Sequence, residues 1–235
     1  AVDSSLNFPS DVSIGTNGDL FIADMNNYRV RRVDNTSIIS TYAGSNIGDE
    51  GDNGPATSAK FTEVQGLFVD SNGDLFICLP NSDKIRKVDS STQIISTVIM
   101  IDAPHSATMD TDGHLIVTQN TLHQVRRVNL RDISTTIVAG TGVAAYASAS
   151  GIARDALLPQ PSAITVDLNG DILVASTGDS KVRKIDHNGI ITNVAGSGSL
   201  GYDGDHGDAV LAMMNSPSGV AVSTSGDIYI SDSSN

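Results

Sequence analysis

Two short blocks that recur at a constant spacing constrain this chain more than any other feature. Gly-Asp followed by an apolar, a variable and an apolar residue occurs as GDLFI from Gly18, GDLFI from Gly73, GDILV from Gly170 and GDIYI from Gly226, with GHLIV from Gly113 as a variant copy. Twelve residues after each of the first four glycines stands a second block, VRRV from Val30, IRKV from Ile85, VRRV from Val125 and VRKI from Val182. An unvarying offset between two alternating segments, with polar turn residues between them, is what a β-hairpin repeated in register requires.

Two further segments complete each unit. One precedes the Gly-Asp turn (VSI, LFVD, ATMD, ITVD, VAV), and a Thr/Ile-rich one follows the arginine block (IISTYAG, IISTVIM, TTIVAG, ITNVAG). Branched and aromatic residues alternate with polar ones, and no segment holds a helical period for long, so the chain is predicted to be all-β. Units measured between the glycines are 55, 40, 57 and 56 residues long. Residues 1–27 align without a gap onto residues 209–235, so the fifth unit ends after its second strand. The predicted units are about 1–56, 57–96, 97–153, 154–208 and a partial 209–235, all in a single domain. Four-stranded units of this size cannot bury two faces alone, and radial stacking as the antiparallel blades of a β-propeller satisfies them. The reading is four complete blades and a half blade.

The co-spaced blocks N-x-P-x-x-V-x-V, G-D-[LI]-[FY]-I-[AS]-D, N-x-R-V-R-[RK]-V and I-x-T-x-A-G resemble the NHL repeat along the whole chain. Gly48 to Ala59 (GDEGDNGPATSA) resembles the acidic insert of its long-repeat branch. The resemblance implies a complete propeller of about six blades, hence a chain that is part of a longer one, and the start at Ala1 without an initiator Met agrees with a processed or excised piece. NHL propellers include protein-binding, RNA-binding and enzymatic members, so function has to be argued from sites.

Fourteen basic against 27 acidic residues give a net charge of -13, a field that repels phosphate backbones and anionic lipid. Nucleic acid is therefore not an expected partner. No apolar run approaches the roughly 18 residues of a membrane span; the longest, Ile94 to Ile101, is interrupted by Ser96 and Thr97. Direct membrane insertion is not expected. Cys78 is the one cysteine, set in the apolar run LFICL, where a buried and inert thiol is expected.

The arginines Arg31, Arg86, Arg126 and Arg183 recur once per unit, and a role needed once per blade is architectural: an ion pair or a stack between blades. Long inserts join the fourth strand of one unit to the first of the next, emerging on the same face as the loop between strands two and three. Asp49 and Asp52 in the first insert, with Asp203 and Asp205 in the last, are candidate Ca²⁺ ligands, because Ca²⁺ takes six to eight oxygens on flexible loops. GYDGDHGD is nonetheless no EF-hand, and turn capping is the competing role for its aspartates. Among the histidines, His114 occupies the turn between strands one and two and so points away from His105 and His123, which leaves no triad. GSGSLG from Gly196 satisfies a dinucleotide fingerprint in letters only, since no helix follows to cap a pyrophosphate. The lyase branch of NHL-like propellers uses a central metal on histidines from several blades, and the inner strands here lack that set. No catalytic residue and no cofactor, the Ca²⁺ candidates apart, is assigned.

Asn35-Thr36-Ser37 is the one N-glycosylation sequon, at the turn between strands three and four. With sparse lysine and abundant Ser and Thr, it suggests an extracellular or secreted protein. The expected function is non-catalytic: a propeller that binds a protein partner, or its own copies, through the insert face, with ring or fibre assembly through the open half blade. The alternatives are a metal-dependent lyase or hydrolase whose ligands lie in missing blades, or the ligand-sensing domain of a receptor.

Overall fold

In the computed structural model, which describes residues 4–145 and 150–235, each predicted unit becomes an antiparallel meander. The first sheet runs β1 (Pro9–Ile14), β2 (Leu20–Asp24), β3 (Arg29–Val33) and β4 (Ile39–Ala43), in that order. The second contains β5 (Gly54–Pro55), β6 (Gly66–Val69), β7 (Leu75–Leu79), β8 (Lys84–Val88) and β9 (Ile94–Met100). The third is β10 (Pro104–Met109), β11 (Leu115–Gln119), β12 (Gln124–Val128) and β13 (Thr135–Ala139). The fourth holds β14 (Ser150–Ile152), β15 (Pro161–Val166), β16 (Ile172–Ser176), β17 (Lys181–Ile185) and β18 (Ile190–Ala195). β19 (Pro217–Val222) and β20 (Ile228–Asp232) form a two-stranded fifth sheet. The fold is an all-β propeller with helix limited to single 3₁₀ turns of three residues.

Two blades have one strand more than the repeat predicts. β5 pairs antiparallel with β9 and β14 with β18, giving sheet orders β5-β9-β8-β7-β6 and β14-β18-β17-β16-β15. The strand Gly54–Pro55, which the repeat count assigns to the end of the first unit, thus belongs to the second blade. The physical reason is edge protection. An outermost strand presents unpaired backbone groups, and the incoming insert covers them. Only residues 142–145 and 150–155 of the Ala/Ser-rich insert are described; 146–149 lie outside the described residues.

Packing divides the chain into two units, residues 1–106 and 107–235. In the first unit, Phe21, Val30, Tyr42, Phe61, Leu67 and Ile77 belong to one buried cluster shared by two blades. In the second, Ile116, Val125, Leu158, Ile164, Val174 and Ile191 do the same, and Val182 and Met214 join the fourth blade to the fifth with Val220 and Ile230. Cys78 is buried, and burial pushes its thiol well above the usual range, with the charge of Asp11 adding to the effect.

One glycine position is dictated by crowding. At Gly44, Gly140 and Gly196 φ is near +90°, and a Cβ would come within 2.3, 2.2 and 2.3 Å of the carbonyl oxygens of Tyr28, His123 and Ser180. Any side chain there would collide with the loop between strands two and three of its own blade. Gly196 of GSGSLG is therefore a junction residue.

Candidate functional site

The recurring basic residues are held by geometry that repeats blade by blade. A register shift between strands three and four falls at Val30/Arg31, Ile85/Arg86, Val125/Arg126 and Val182/Arg183. A bulge at that place re-aims the side chain that follows it. Arg86 is fully buried, donates from Nε and Nη2 to Asp52 Oδ1 at 2.8 and 2.5 Å, and lies 5.6 Å from the centroid of the Phe61 ring. Arg31 lies 3.6 Å from Asp24, Arg126 donates to Thr135 Oγ1 at 3.1 Å, and Arg183 lies 3.6 Å from Asp179.

The adjacent basic position has its own partner. Arg32 pairs with Asp19 at 2.6 Å, Lys87 with Asp74 at 2.6 Å and Lys184 with Asp171 at 2.8 Å, so the Asp of the Gly-Asp block is the anchor in three blades. In the third blade that Asp is His114, and Arg127 turns to Asp110 at 2.9 Å instead. Asp110 Oδ1 also accepts the backbone N–H groups of Asp112 and His114, at 3.0 and 2.9 Å. Asp110, Asp112 and His114 are the one group among the described residues whose donor atoms fall within 4.8 Å of one another as a metal site would need. The Arg127 guanidinium already supplies positive charge there.

The Ca²⁺ candidates fall in two separate inserts, and two of the four face a cationic side chain. Asp49 accepts from Lys84 Nζ at 2.7 Å, and Asp52 binds Arg86 and the backbone N–H of Thr97. Burial works against ionisation of Asp52, yet the hydrogen bonds from Thr97 and Arg86 hold its carboxyl below the usual range. Asp203 accepts the N–H of Gly204 at 2.8 Å, and Asp205 is exposed. The insert aspartate expected at a recognition face thus points into a blade, because a buried guanidinium demands a counter-charge. His123 Nδ1 accepts the N–H of Gln160 at 3.1 Å, and His206 is exposed. Asn35 is exposed at the tip between β3 and β4, where Asp34 Oδ1 accepts from Thr36 and Ile38.

Sequence reasoning missed the grooves between successive blades. In the first unit a groove of about 280 Å³ lies between the first and second blades, lined by Phe21, Arg32, Tyr42, Gly73 and Gln93 among others. Tyr42 meets Phe21 edge to face, with centroids 4.7 Å apart, and its Oη accepts from Gln93 Nε2 at 3.1 Å. In the second unit the corresponding groove between the third and fourth blades holds about 500 Å³. Repeat register puts Ile116 at the place of Phe21, Val138 at that of Tyr42 and Gly189 at that of Gln93. The backbone confirms the last match, since Ala56 donates to the Gln93 carbonyl and Ala153 to that of Gly189. Val138, Ile152, Ile172 and Ile185 line this groove together with Asp110, Asp112, Arg127, Arg154, Asp186 and His187, three carboxylates against two guanidiniums.

Comparison with known proteins agrees with this architecture. The NHL repeat pattern matches residues 6–33 and 214–235. Teneurin-4 of Mus musculus is 27% identical over 276 residues, covering 93% of this chain and 10% of its own length. Teneurin-1 of Mus musculus is 25% identical over 251 residues, covering 100% of this chain and 8% of its own length. The chain thus spans about a tenth of the curated relatives it matches. Among solved structures, an auxiliary nutrient binding protein from Bacteroides thetaiotaomicron superposes with a TM-score of 0.75 at 17% identity, over 99% of this chain and 58% of that one. A nidogen/laminin complex gives a TM-score of 0.68 at 11% identity, over 96% and 72%. A catalytically inactive virginiamycin B lyase from Staphylococcus aureus with quinupristin gives 0.62 at 14%, over 98% and 65%.

Proposed function

We propose that this chain, which carries NHL repeats on a β-propeller fold, is a non-catalytic module that binds another protein outside the cell. The observation that carries the reading is the division of labour among its charges. The recurring Arg and Lys residues, and the aspartates that face them, are spent on ion pairs within single blades. The groove between the third and fourth blades instead sets Val138 and the exposed Ile152 among charged side chains of both signs, a mixed surface of the kind that protein contacts use. Similarity to teneurins over the whole chain supports the reading, as does a fold shared with a nidogen/laminin complex, a structure of one protein bound to another. An exposed sequon at Asn35 fits an exported chain. Association with its own copies is a second form of the same activity.

The competing reading is a metal-dependent lyase or hydrolase, favoured by the shared fold of the virginiamycin B lyase. Binding of the purified chain to a panel of extracellular protein domains, itself included, separates the two. The proposal expects saturable binding to at least one member and no turnover of ester, lactone or lyase substrates with or without added zinc. Zinc-dependent turnover with no protein binding would reverse it.

A further inference from the structure

The three inserts are built alike and present different surfaces. Each closes on a single 3₁₀ turn, Ala56–Ser58, Ala153–Asp155 and Ala209–Leu211, followed by Ala59, Ala156 and Ala212. The first and last inserts match further. Lys60 donates its N–H to the Glu50 carbonyl at 3.0 Å and Met213 to that of Asp203 at 2.7 Å, and a Cβ on Gly51 or Gly204 would lie 2.7 Å from the Cα of Ala59 or Ala212. The second and third residues of the turn are Thr57 and Ser58 in the first insert, Arg154 and Asp155 in the second, and Val210 and Leu211 in the last. Thr57, Ser58, Arg154 and Asp155 are exposed on blades that have all their strands, so these two positions face solvent by construction. Ala209 is a different case, exposed where Ala56 and Ala153 are buried, because the fifth sheet has two strands.

The last insert thus puts apolar side chains where its counterparts put polar ones. Leu211 is 70% exposed and Val210 41%, and Tyr202, at the place of Asp49, is 82% exposed. The bond from Met213 to Asp203 sets the segment bearing Tyr202 beside the one that leaves the turn. Contiguous exposed apolar side chains rimmed by polar ones mark a contact surface. The charge around them has one sign. In the first insert every carboxylate has a cation, Asp49 with Lys84, Glu50 with Lys60 and Asp52 with Arg86. The last insert, residues 196–216, has Asp203, Asp205 and Asp208 and neither lysine nor arginine. Asp203 accepts only the N–H of Gly204, and none of the three has an ion pair among the described residues. Lys181, which approaches Gly198, is mostly buried beside Asp179. Asp203 and Asp208 stand at the places of Glu50 and Pro55, both solvent-facing on a complete blade; Asp205, at the place of the inward-turned Asp52, is not counted with them.

From these observations we infer that Tyr202, Val210 and Leu211 form a docking site for a partner protein whose surface presents apolar side chains flanked by lysine or arginine, with Asp203 and Asp208 meeting the flanking cations. The inference rests on the protein-binding reading and names the partner's chemistry at one insert. A second copy of this chain is the poorer match, since it carries a net charge of -13 and its recurring basic residues are engaged within blades.

The test is a ¹H–¹⁵N NMR titration of the intact chain with acetyl-Arg-Leu-Leu-Arg-amide, acetyl-Asp-Leu-Leu-Asp-amide and acetyl-Arg-Ser-Ser-Arg-amide. Saturable shifts by the first peptide are expected at the amides of Gly204, Leu211 and Ala212, not at Gly51, Ser58 and Ala59, with a dissociation constant of about 1–10 mM for so small a ligand. The acidic leucine peptide should bind about 10-fold more weakly, a difference that two exposed charge pairs supply, and the serine peptide about 10-fold more weakly for want of apolar contact. Val210→Thr with Leu211→Ser gives the last insert the residues of the first at two exposed positions and should abolish the shifts. Asp203→Asn with Asp208→Asn should erase only the preference for basic flanks. No saturable shift by about 20 mM, an equal response to the acidic peptide, or shifts that survive the Val210 and Leu211 changes overturn the inference. An extracellular protein that binds the Val210→Thr, Leu211→Ser chain as tightly as the unaltered one would sink this docking site alone; absence of any protein binding would sink the wider reading.

Discussion

The first and second blades meet through side chains that the third and fourth lack, although one repeat wrote both junctions. Phe21, Tyr42 and Gln93 line the first groove and narrow it, whereas Val138 and Gly189 stand at the places of Tyr42 and Gln93 in the wider second one. The second blade is further sealed by an insert aspartate on its buried arginine, whereas the repeat position of Asp52 is Ala149 in the next long insert, a residue outside the described ones. The comparison teaches that repeat register fixes the backbone while a few side chains decide which junction is finished and which is open. It also says where changes should be expensive.

The largest effect is predicted at the seal. Asp52→Ala leaves the fully buried Arg86 without its counter-charge, and unpairing a buried ion costs about 3–5 kcal/mol. Thr135→Ala, which removes the partner of the half-buried Arg126 in the third blade, should cost about 1 kcal/mol or less. Urea unfolding followed by circular dichroism measures both. Equal costs would mean that the insert aspartate is ornamental and that the two junctions differ less than their contacts suggest.

Next comes the aromatic filler. Tyr42→Val should cost about 2–4 kcal/mol, since it removes a buried ring, an edge-to-face contact and a hydrogen bond at once. The reverse change, Val138→Tyr, enters an open groove and should shift stability by about 1 kcal/mol or less in either direction. If both changes cost the same, the second groove is less roomy than its volume indicates.

What could be read in the sequence follows the same division. Blade count, strand order and the paired role of Arg31 and Arg86 were legible because they rest on period and composition, which one chain displays to itself. The fifth strands were not: β5 is the dipeptide Gly54–Pro55, with no alternation to detect, and it forms because the edge of β9 needs cover. Asp49 and Asp52 stood as candidate cation ligands beside a turn-capping role, because the sequence shows their spacing and hides the Lys84 and Arg86 they face. The His114 substitution was visible, but its consequence, the shift of Arg127 to Asp110, depends on a turn whose geometry only the fold supplies.

The smallest effect is predicted in acid and is confined to the first unit. Asp11 on β1 reaches the inner strand of the second blade, where its carboxylate accepts the N–H of Leu67 at 2.8 Å. Burial raises its carboxyl from 3.8 to about 6, against the lowering effect of the hydrogen bonds from Leu67 and Val12. Between those two values the folded chain holds a proton that the unfolded chain has lost, so stability falls as pH rises through that window and levels off above about 6. The full change is about 2–3 kcal/mol at most. Asp52 and Asp74, whose carboxyls are held low, act in the opposite sense and lose their contribution only as pH falls below the unfolded value of 3.8. The equivalent of Asp11 in the fourth blade is Ala163. Hydrogen–deuterium exchange, corrected for the intrinsic rate at each pH, should therefore find β1 and β6 more protected at about pH 4.5 than at about pH 7, by about 1–2 kcal/mol, and β15 unchanged. Asp11→Asn should flatten the dependence. A gain shared equally by both units would show that net charge, relaxed everywhere by acid, outweighs this one carboxyl.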